Sequence, residues 1–500
     1  MKISTNRFVI LLCLLLFQFN CKTKHEKPEN FTQIQIIGNY AMVGLGIIEI
    51  NTINDSLYVV QNGSKFSHKI IKRKGNTYEI PNDSSIQFVF SKLKDNHSQI
   101  LTIFQNGDKT TCNRTLKSIK VSQGPLALVA NSEKEIKYLA EPFLGITTDG
   151  EPIKNLFSIK STGISTKPIQ IAVNEFLASL SEKQKEACRF PIDDNEWRRW
   201  HNVEIYNREG IALFEMDDNQ KSLAFNILNE SLSAKGLKKA KDIMTMEAYL
   251  KELSIKLKSR NIKRLNRLGN DKYYFTFMGE PSDTEPWGWQ IDGHHLAINY
   301  FVLGDQVVMT PTFMGSEPNF IKEGKNKGLR TFEEEENKGL NFYKSLDASQ
   351  KELATLWNEK KYGFSQAEAF RDNEVIPYSG IQAKVLNESQ KISFLKLIEE
   401  YISRMRPEHA KIKMNEIKAH INDTWFCWIG GSGEDDPFYY RIQSPVIMIE
   451  FDHHSPVFIR EKGKPSPGPV KWHVHTVVRT PNGNDYGKDL LRQHIENHHH

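Results

Sequence analysis

The sequence is poor in cysteine. Of its five cysteines, Cys13 and Cys21 lie near the N-terminus, and Cys112, Cys188 and Cys427 are scattered far apart along the rest of the chain. An odd number of widely spaced cysteines provides neither a disulfide framework nor a cysteine-rich metal site. Any metal ion would therefore have to be held by histidine, aspartate or glutamate side chains.

The chain also lacks a dominant charge. Its 66 Lys and Arg residues against 61 Asp and Glu residues leave a formal net charge of +5 over 500 residues, spread along the chain. We therefore expect no nucleic-acid partner, because nucleic-acid-binding domains concentrate basic residues on one face. The sequence contains no recognisable serine or cysteine triad, phosphate-binding glycine loop or dinucleotide fingerprint, so cofactors of those classes have no support.

After the N-terminus, no segment is long and apolar enough to span a bilayer. The first 21 residues, by contrast, resemble a bacterial lipoprotein signal. Lys2 and Arg7 form a basic region, Phe8 to Phe17 form an apolar region, and Cys21 stands where such signals are cut and acylated. A plain secretory signal or a short anchor is the alternative. In each case we expect an extracytoplasmic protein, either anchored to the membrane through a lipid on Cys21 or periplasmic or secreted.

Short β-type segments follow the N-terminal signal. Residues 22–33 are charged and polar and are predicted to be a tether. Residues 34–122 alternate short β segments with turns such as Asn106-Gly107-Asp108, which predicts a small antiparallel barrel or sandwich. With Gly38-Asn39-Tyr40, this pattern resembles the lipocalin-like accessory domains of secreted serine hydrolases. No paired Ser and Lys motif accompanies it, so we expect a binding or spacing role. Residues 123–140 are predicted to be a linker.

The rest of the chain, residues 142–495, resembles an uncharacterised family, domain of unknown function 3500. The motifs that carry the resemblance are Thr162-Gly163, Trp197 with Trp200 and Asn202, Phe277 to Pro281, Gly293-His294-His295, Thr310-Pro311, Pro437 to Arg441, Trp472 to His475, and Asn484 to Gly487. The resemblance implies that these motifs belong to one unit. It implies no activity, cofactor or substrate.

An internal repeat organises this unit. Phe275 to Gly279 and Pro286 to Ile291 align without a gap on Phe426 to Gly430 and Pro437 to Ile442, at a constant offset of 151 residues. Aromatic residues fall on aromatic residues throughout. We infer that the second stretch is a copy of the first.

Flanking blocks match at a larger offset of 170 residues. They align Arg208 to Ile211 with Tyr378 to Ile381, and Val307 to Pro311 with Val477 to Pro481. The change from 151 to 170 predicts a 19-residue insertion in the second copy, within Ser455 to Val470.

The predicted fold class is therefore α+β, an internally duplicated domain of helices plus antiparallel sheet, with a separate small all-β N-terminal domain. The two halves should span residues 141–344 and 345–495 and pack about a pseudo-two-fold axis. Clefts at such internal interfaces are common ligand sites, so we expect the functional site there.

Two adjacent histidines, His294 and His295, were not copied in the repeat, because they align with Pro445 and Val446 at the offset of 151. Scaffold needs alone should have kept similar residues in both halves, so the asymmetry points to function. On an extended strand these two side chains would point to opposite faces. A metal or proton-transfer site could use either of them.

A second pair, His473-Val474-His475, aligns with Leu303 and Asp305 of the first half at the offset of 170. Its β-branched and aromatic neighbours predict a strand, which would place both imidazoles on one face. A strand presents two ligands to one metal ion in this way. The alternative is a pair of surface or hydrogen-bonded core histidines.

Polar residues near the second pair are further candidates. Glu450, Asp452 and His454 are predicted to share one strand face and to supply a metal ligand, a partner that orients a histidine, or a general base. An exposed polar face of an edge strand is the alternative. Arg441 replaces a glutamine of the first half and is predicted to recognise an anionic substrate group, unless it is a buried arginine paired with a carboxylate. Arg479 is predicted to line the same cleft.

Three functions remain open from the sequence. The favoured one is an enzyme that acts on a small organic substrate with one divalent metal ion, bound by His294 or His295 together with His473 and His475, with His454 as a further candidate ligand. Zinc is expected and would favour hydrolysis, whereas iron or copper would favour oxidation. The second is a metal-free enzyme in which a histidine and a carboxylate act as acid and base. The third is a lipid-anchored binding protein without catalytic activity.

Overall fold

The structure is a computed structural model, and it describes residues 38–42, 46–53, 56–61, 67–81, 83–92, 99–105, 108–115, 131–460 and 466–498. The predicted signal segment and tether, residues 1–33, lie outside these ranges. In the described part of the chain, no helix combines the length and the apolar character needed to cross a bilayer.

The described residues of the N-terminal region form nine strands, which pair antiparallel. They are β1 Gly38–Met42, β2 Gly46–Ile53, β3 Ser56–Gln61, β4 Ser67–Lys69, β5 Ile71–Lys72, β6 Thr77–Ile80, β7 Asp83–Lys92, β8 Gln99–Gln105 and β9 Asp108–Thr115. Their order in the sheet is β4-β3-β2-β1-β9-β8-β7-β6-β5. Alternate residues of β7, namely Ile86, Phe88 and Phe90, are buried, as expected for a strand with one face on a core. These strands occupy the region for which the sequence predicted short β segments.

The remaining strands form one thirteen-stranded sheet. They are β10 Arg189–Phe190, β11 Ile211–Ala212, β12 Tyr273–Met278, β13 Trp287–Gly293, β14 Leu296–Leu303, β15 Gln306–Val308, β16 Thr312–Ser316, β17 Thr355–Trp357, β18 Ile381–Gln382, β19 Trp425–Gly430, β20 Phe438–Gln443, β21 Met448–His453 and β22 Val474–Arg479. The central strands β13, β14, β21 and β22 are buried along their whole length.

The described residues also form eleven α-helices. They are α1 Glu133–Ala140, α2 Lys167–Ala178, α3 Glu182–Cys188, α4 Asp218–Ser231, α5 Ala234–Lys256, α6 Ile262–Leu265, α7 Glu333–Ser345, α8 Ala348–Ala354, α9 Glu388–Ile402, α10 Pro407–Ala419 and α11 Lys488–His498. Capping boxes start α3, α4, α8 and α9, each with a glutamine at the third helical position. The first two of these caps lie in one half and the last two in the other, so local helix signals were duplicated as well. The helices and the sheet together confirm the predicted α+β class.

Helix α1 lies inside residues 123–140, for which the sequence predicted a linker. Glu135 on this helix is buried and forms an ion pair with Arg199, 3.2 Å between Oε1 and Nε. Tyr206 donates a further hydrogen bond to the same carboxylate. Residues 133–140 therefore pack against the large unit.

The repeat is visible in the sheet. Phe275 pairs with Ile291 between β12 and β13, and Phe426 pairs with Ile442 between β19 and β20, which reproduces the offset of 151. From one edge the strand order is β10-β12-β13-β14-β16, and from the other it is β17-β19-β20-β21-β22. Strands β16 and β22 pair antiparallel at the centre, so the two halves share one continuous sheet.

The predicted alignment of the last block is wrong. Phe301 of β14 pairs with Val308, and the residue equivalent to Phe301 at the offset of 151, Asp452 of β21, pairs with His475. His475 is therefore the counterpart of Val308, at an offset of 167, and not of Asp305. The insertion is 16 residues, the difference between 167 and 151. The sequence match failed because Thr310-Pro311 separates β15 from β16, whereas β22 runs unbroken to Arg479.

Candidate metal centre

His294 and His295 form the turn between β13 and β14. Gly293 pairs with Leu296, so the two histidines are the two residues that connect the strands, and His295 has a left-handed backbone with φ of 60°. The expectation that they lie on an extended strand with opposite orientations is therefore wrong. Their rings stack instead, with centroids 3.8 Å apart.

Glu247 on α5 holds both of these histidines. Its Oε2 lies 2.6 Å from Nδ1 of His294, and its Oε1 lies 2.6 Å from Nδ1 of His295. Burial opposes ionisation of this carboxyl, but the neighbouring imidazoles outweigh it and lower the pKa of Glu247 to about 2. An ionised carboxylate accepts a hydrogen bond from each facing N–H group, so His295 presents Nε2 as its remaining ligand atom.

His473 and His475 face each other where β22 begins. Their Nε2 atoms are 3.1 Å apart. Nδ1 of His475 lies 2.9 Å from Oε1 of Glu368, and Nδ1 of His473 lies 2.8 Å from the carbonyl oxygen of Ser455. Because both partners are acceptors, each neutral ring carries its proton on Nδ1 and points an Nε2 lone pair at the other ring. Two lone pairs at this distance repel unless a cation lies between them.

His295 completes a group of three imidazoles with the facing pair. One nitrogen from each of His295, His473 and His475 lies within 4.8 Å of the others. Gly315 of β16, which pairs with His475, makes room for this approach. A Cβ at Gly315 would lie 2.9 Å from Cδ2 of His295 and 3.1 Å from Cδ2 of His475. The group is therefore a candidate site for a divalent metal ion.

Burial keeps these three rings neutral. It lowers the pKa of His295 to about 3 and that of His475 to about 4, and it holds the pKa of His473 well below its usual value. In each case the charge of neighbouring histidines lowers the pKa further. Neutral imidazole is the form that binds a metal ion.

Glu368 reaches His475 from a loop that Glu450, Asp452 and Arg479 hold in place. Glu450 accepts hydrogen bonds from the backbone N–H groups of residues 366 and 367, and Asp452 accepts them from residues 364 and 365. Arg479 donates to the carbonyl oxygens of residues 367 and 368, at 2.8 and 3.0 Å. The structure thus places these three predicted catalytic residues beneath the loop as its anchors.

Arg441 lies further from the histidines. It pairs with Glu450 across β20 and β21 and donates from Nη2 to the carbonyl oxygen of Pro377, 2.9 Å away. Its side chain is buried. Among the two readings that the sequence left open, this position matches a buried arginine beside a carboxylate.

His454 lies beside the three-imidazole group. Its ring stacks on that of His475 with centroids 3.9 Å apart. Its Nε2 is 2.9 Å from Oδ2 of Asp452 and 3.7 Å from Oε1 of Glu368. The sequence placed His454 among the metal candidates, and the structure places it within reach of the same group.

The large unit matches the profile of one protein family. A family profile matches residues 162–488, and its description is protein of unknown function (DUF3500). The chain belongs to this family. No curated protein and no solved structure is similar to the chain. The histidines and the carboxylates of the site all lie within the part shared with the DUF3500 family.

Sequence reasoning missed the two carboxylates that orient the histidines. Glu247 had a signal, because it occupies a position in the buried stripe of α5 that otherwise holds Ala240, Ile243 and Leu250. A charged residue in an apolar stripe is a candidate for a buried function. Glu368 had no comparable signal, since it lies on an irregular loop.

The site opens toward solvent on one side. The side chains of His454 and Glu368 are 20% and 18% exposed, whereas that of His295 is 1% exposed. A large cavity of about 580 Å³ lies elsewhere, lined by residues of both halves that include Thr312 and Val478. Side chains alternate along strands, so these residues point to the face opposite Phe313 and His475. The cleft between the halves and the histidine group thus lie on different faces of the sheet.

Proposed function

We propose that this protein is an extracytoplasmic metal-dependent enzyme, a hydrolase, that acts on a small organic substrate. One divalent ion, with zinc favoured, would be held by Nε2 of His295, His473 and His475. The observation that carries the proposal is the arrangement of these three rings. They are neutral, and their Nδ1 atoms face hydrogen-bond acceptors. The Nε2 atoms of His473 and His475 are 3.1 Å apart.

The spacing agrees with zinc coordination. Zinc binds histidine nitrogen at about 2.0–2.1 Å in a tetrahedral arrangement, which places two ligand nitrogens roughly 3.3 Å apart. The observed 3.1 Å between His473 and His475 is close to this value. Three protein ligands leave a fourth position for water or substrate, which is typical of catalytic zinc sites.

The charge balance also supports a cation. Within the described residues, the side chains of Glu247 and Glu368 hydrogen-bond to histidines alone. Both carboxylates have a pKa lowered to about 2 against the effect of burial, chiefly by the charges of those histidines. Glu247 raises the pKa of His294 despite burial, so a protonated His294 offsets the charge of Glu247. The negative charge of Glu368 remains beside the neutral ring of His475. A divalent ion bound by His475 would be attracted by this carboxylate.

The carboxylates have a second role in this proposal. Glu247 fixes the ring of His295 and Glu368 fixes that of His475, so both nitrogens that face the ion are set before it binds. A bound zinc ion would supply a Lewis acid and activate a water molecule. Substrate would enter at the exposed side, past His454 and Glu368. Iron or copper in the same ligands would favour oxidation, so the identity of the metal decides between the two reaction classes.

Secretion is part of the same proposal. The basic and apolar segments before Cys21 support export, and acylation of Cys21 would anchor the protein to a membrane. Replacing Cys21 with serine should abolish incorporation of labelled fatty acid and release the protein from the membrane fraction. Labelling that persists in Cys21→Ser would contradict acylation at this residue.

Metal analysis tests the central part of the proposal. The chain should end at Asn497, because the terminal histidines His498 to His500 would bind metal themselves. We expect at least one divalent ion per chain, and we expect His473→Ala and His475→Ala to fold without it and to lose turnover. His420→Ala, a half-buried histidine outside the group, is the matched control and should retain the ion.

The alternative functions make different predictions. A metal-free acid–base enzyme would be active without stoichiometric metal, and a non-catalytic binding protein would hold metal without turnover. If the parent protein contains no metal, or if both histidine variants bind metal as the parent does, the proposal fails. The position of Glu450 and Asp452, fully buried under their loop, does not favour the metal-free enzyme.

A further inference from the structure

We propose that the centre holds a second divalent cation, between Glu368, His454 and His475. This inference rests on the proposed function and extends it from a mononuclear to a dinuclear site. The ligand atoms of these three residues lie within 4.8 Å of one another. The second group shares only His475 with the group formed by His295 and His473.

The distances around Glu368 fit an ion. Its Oε1 lies 2.9 Å from Nδ1 of His475 and 3.7 Å from Nε2 of His454. Ligands that share one ion at about 2.0–2.2 Å lie roughly 3–3.5 Å from each other. A cation between the three atoms would therefore require only small shifts of the side chains.

The Nε2 atom of His454 has one close protein partner, the carboxylate of Asp452, in poor hydrogen-bond geometry. This nitrogen is buried, and Oδ2 of Asp452 is 2.9 Å away. Asp452 has its own partners, since Oδ1 lies 2.6 Å from Nζ of Lys360 and Oδ2 accepts from the backbone N–H groups of Phe364 and Ser365. A lone pair on His454 Nε2, directed to a cation, would satisfy this atom.

A glycine makes room for the ring of His454. A Cβ at Gly363 would lie 2.6 Å from Cε1 of His454. The loop that carries Glu368 therefore also leaves space for His454 to stack on His475. The segment from Gly363 to Glu368 thus supplies one ligand and the space for a second.

His475 would join the two ions. Its Nε2 faces His295 and His473, and its Nδ1 faces Glu368. On binding of the second ion, Nδ1 would release its proton to solvent and the ring would become an imidazolate that bonds one ion through each nitrogen. The imidazolate offsets one of the two positive charges that the second ion adds, and the carboxylate of Glu368 contacts this ion directly. No electron transfer is involved.

The first half of the repeat offers no second site of this kind. At the offset of 151, His454 corresponds to Leu303, and His475 corresponds to Val308 by strand register. The second ion would therefore belong to the second half alone. This asymmetry makes His454 the residue on which the inference depends.

Zinc stoichiometry tests the inference. The probe is Zn²⁺ added to metal-free protein that ends at Asn497, with bound zinc counted after dialysis. We expect two ions per chain in the parent and in His420→Ala. We expect one in His454→Ala, with the affinity for the second ion weakened at least tenfold. Glu368→Gln, which keeps the volume of the side chain and removes its charge, should also lose the second ion, and circular dichroism checks that both variants fold.

The outcomes separate the two proposals. One ion in the parent, unchanged in folded His454→Ala, would overturn the second site and leave the proposed function standing. Loss of every ion from folded His454→Ala would also overturn it, because His454 would then belong to a single site. A parent protein that binds no zinc would instead overturn the proposed function itself.

Discussion

The two halves of the large unit share hairpins of the same register but differ at the turns. In the first half, His294 and His295 connect β13 and β14 and bind Glu247. In the second half, the connection between β20 and β21 closes on itself, because Ser444 Oγ accepts hydrogen bonds from the backbone N–H groups of Val446 and Ile447. In the first half, His294 and His295 are not used to close their turn in this way, so their side chains can bind Glu247 instead. Duplication thus supplied the sheet, and the turns and strand ends supplied the candidate ligands.

The two halves also differ in the lengths of the helices that lie between residues 211 and 275 and between residues 381 and 426. Helix α5 has 23 residues and its counterpart α10 has 13. With their starts aligned, Glu247, the fourteenth residue of α5, is the first residue that α10 lacks. The carboxylate that orients His295 therefore lies in the part of α5 that has no helical copy. The longer helix of the first half thus supplies the partner that the proposed site needs.

The largest expected effect comes from removing His295, the one proposed ligand that the first half contributes. His295→Asn should lower zinc affinity by at least about 100-fold, because loss of a ligand exceeds the roughly 10–100-fold loss seen when an outer partner is removed. Asparagine tolerates the left-handed backbone of this turn, so the hairpin should still form. Competition with a chromophoric chelator measures the affinity. His294→Asn is the matched control, and an equal loss in both variants would contradict the assignment of His295 as the ligand.

The next effect concerns the extended part of α5. Glu247→Gln keeps the size of the side chain but removes the charge that orients His295, so zinc affinity should fall by about 10–100-fold. The measurement is the same chelator competition, with folding checked by thermal melting. Unchanged affinity in a folded variant would show that Glu247 does not act through His295.

A smaller effect is expected at the centre of the sheet. Gly315→Ala places a methyl group against His295 and His475, so the rings must shift and stability should fall by about 1–3 kcal/mol. Zinc affinity should fall along with it. Met314→Leu, a volume-conserving change at the neighbouring position, should leave zinc affinity unchanged. Urea denaturation and chelator competition measure the two effects, and unaltered affinity in Gly315→Ala would contradict the close packing of the rings.

The smallest effect is expected where the repeat has no ligand. Val308 is the counterpart of His475 by strand register, and it is half-buried. Val308→Ala should cost about 1 kcal/mol of stability and leave zinc binding unchanged. Urea denaturation and zinc titration test both statements. Weaker zinc binding in Val308→Ala would contradict the expectation that this position of the first half plays no part in the zinc site.

The scaffold was predictable from the sequence because its signals are periodic and local. Aromatic and glycine residues at fixed spacing revealed the paired hairpins, and their register agrees with the predicted offset. The alignment failed where Thr310-Pro311 interrupts a strand in one half only. The residues of the last block match in type but do not occupy equivalent positions in the sheet. The predicted counterpart of His475, Asp305, therefore lies three residues from the actual one, Val308.

The candidate site was predictable only in part. His295, His473 and His475 stood out because the other half lacks them. Their partners did not, because Glu247 lies 47 residues from His294 and Glu368 lies 107 residues from His475. Such contacts depend on how helix and loop pack on the sheet, which no local pattern encodes. The same packing explains why Glu450, Asp452 and Arg479, correctly noticed as polar strand residues, anchor a loop.

The most direct test is the position of a bound ion. Crystals of the protein ending at Asn497, soaked in zinc and measured at the zinc absorption edge, would locate it by anomalous scattering. The account predicts a peak about 2.0–2.1 Å from Nε2 of His295, His473 and His475. Rings that keep their positions with no peak between them, or a peak only elsewhere on the protein, would contradict it.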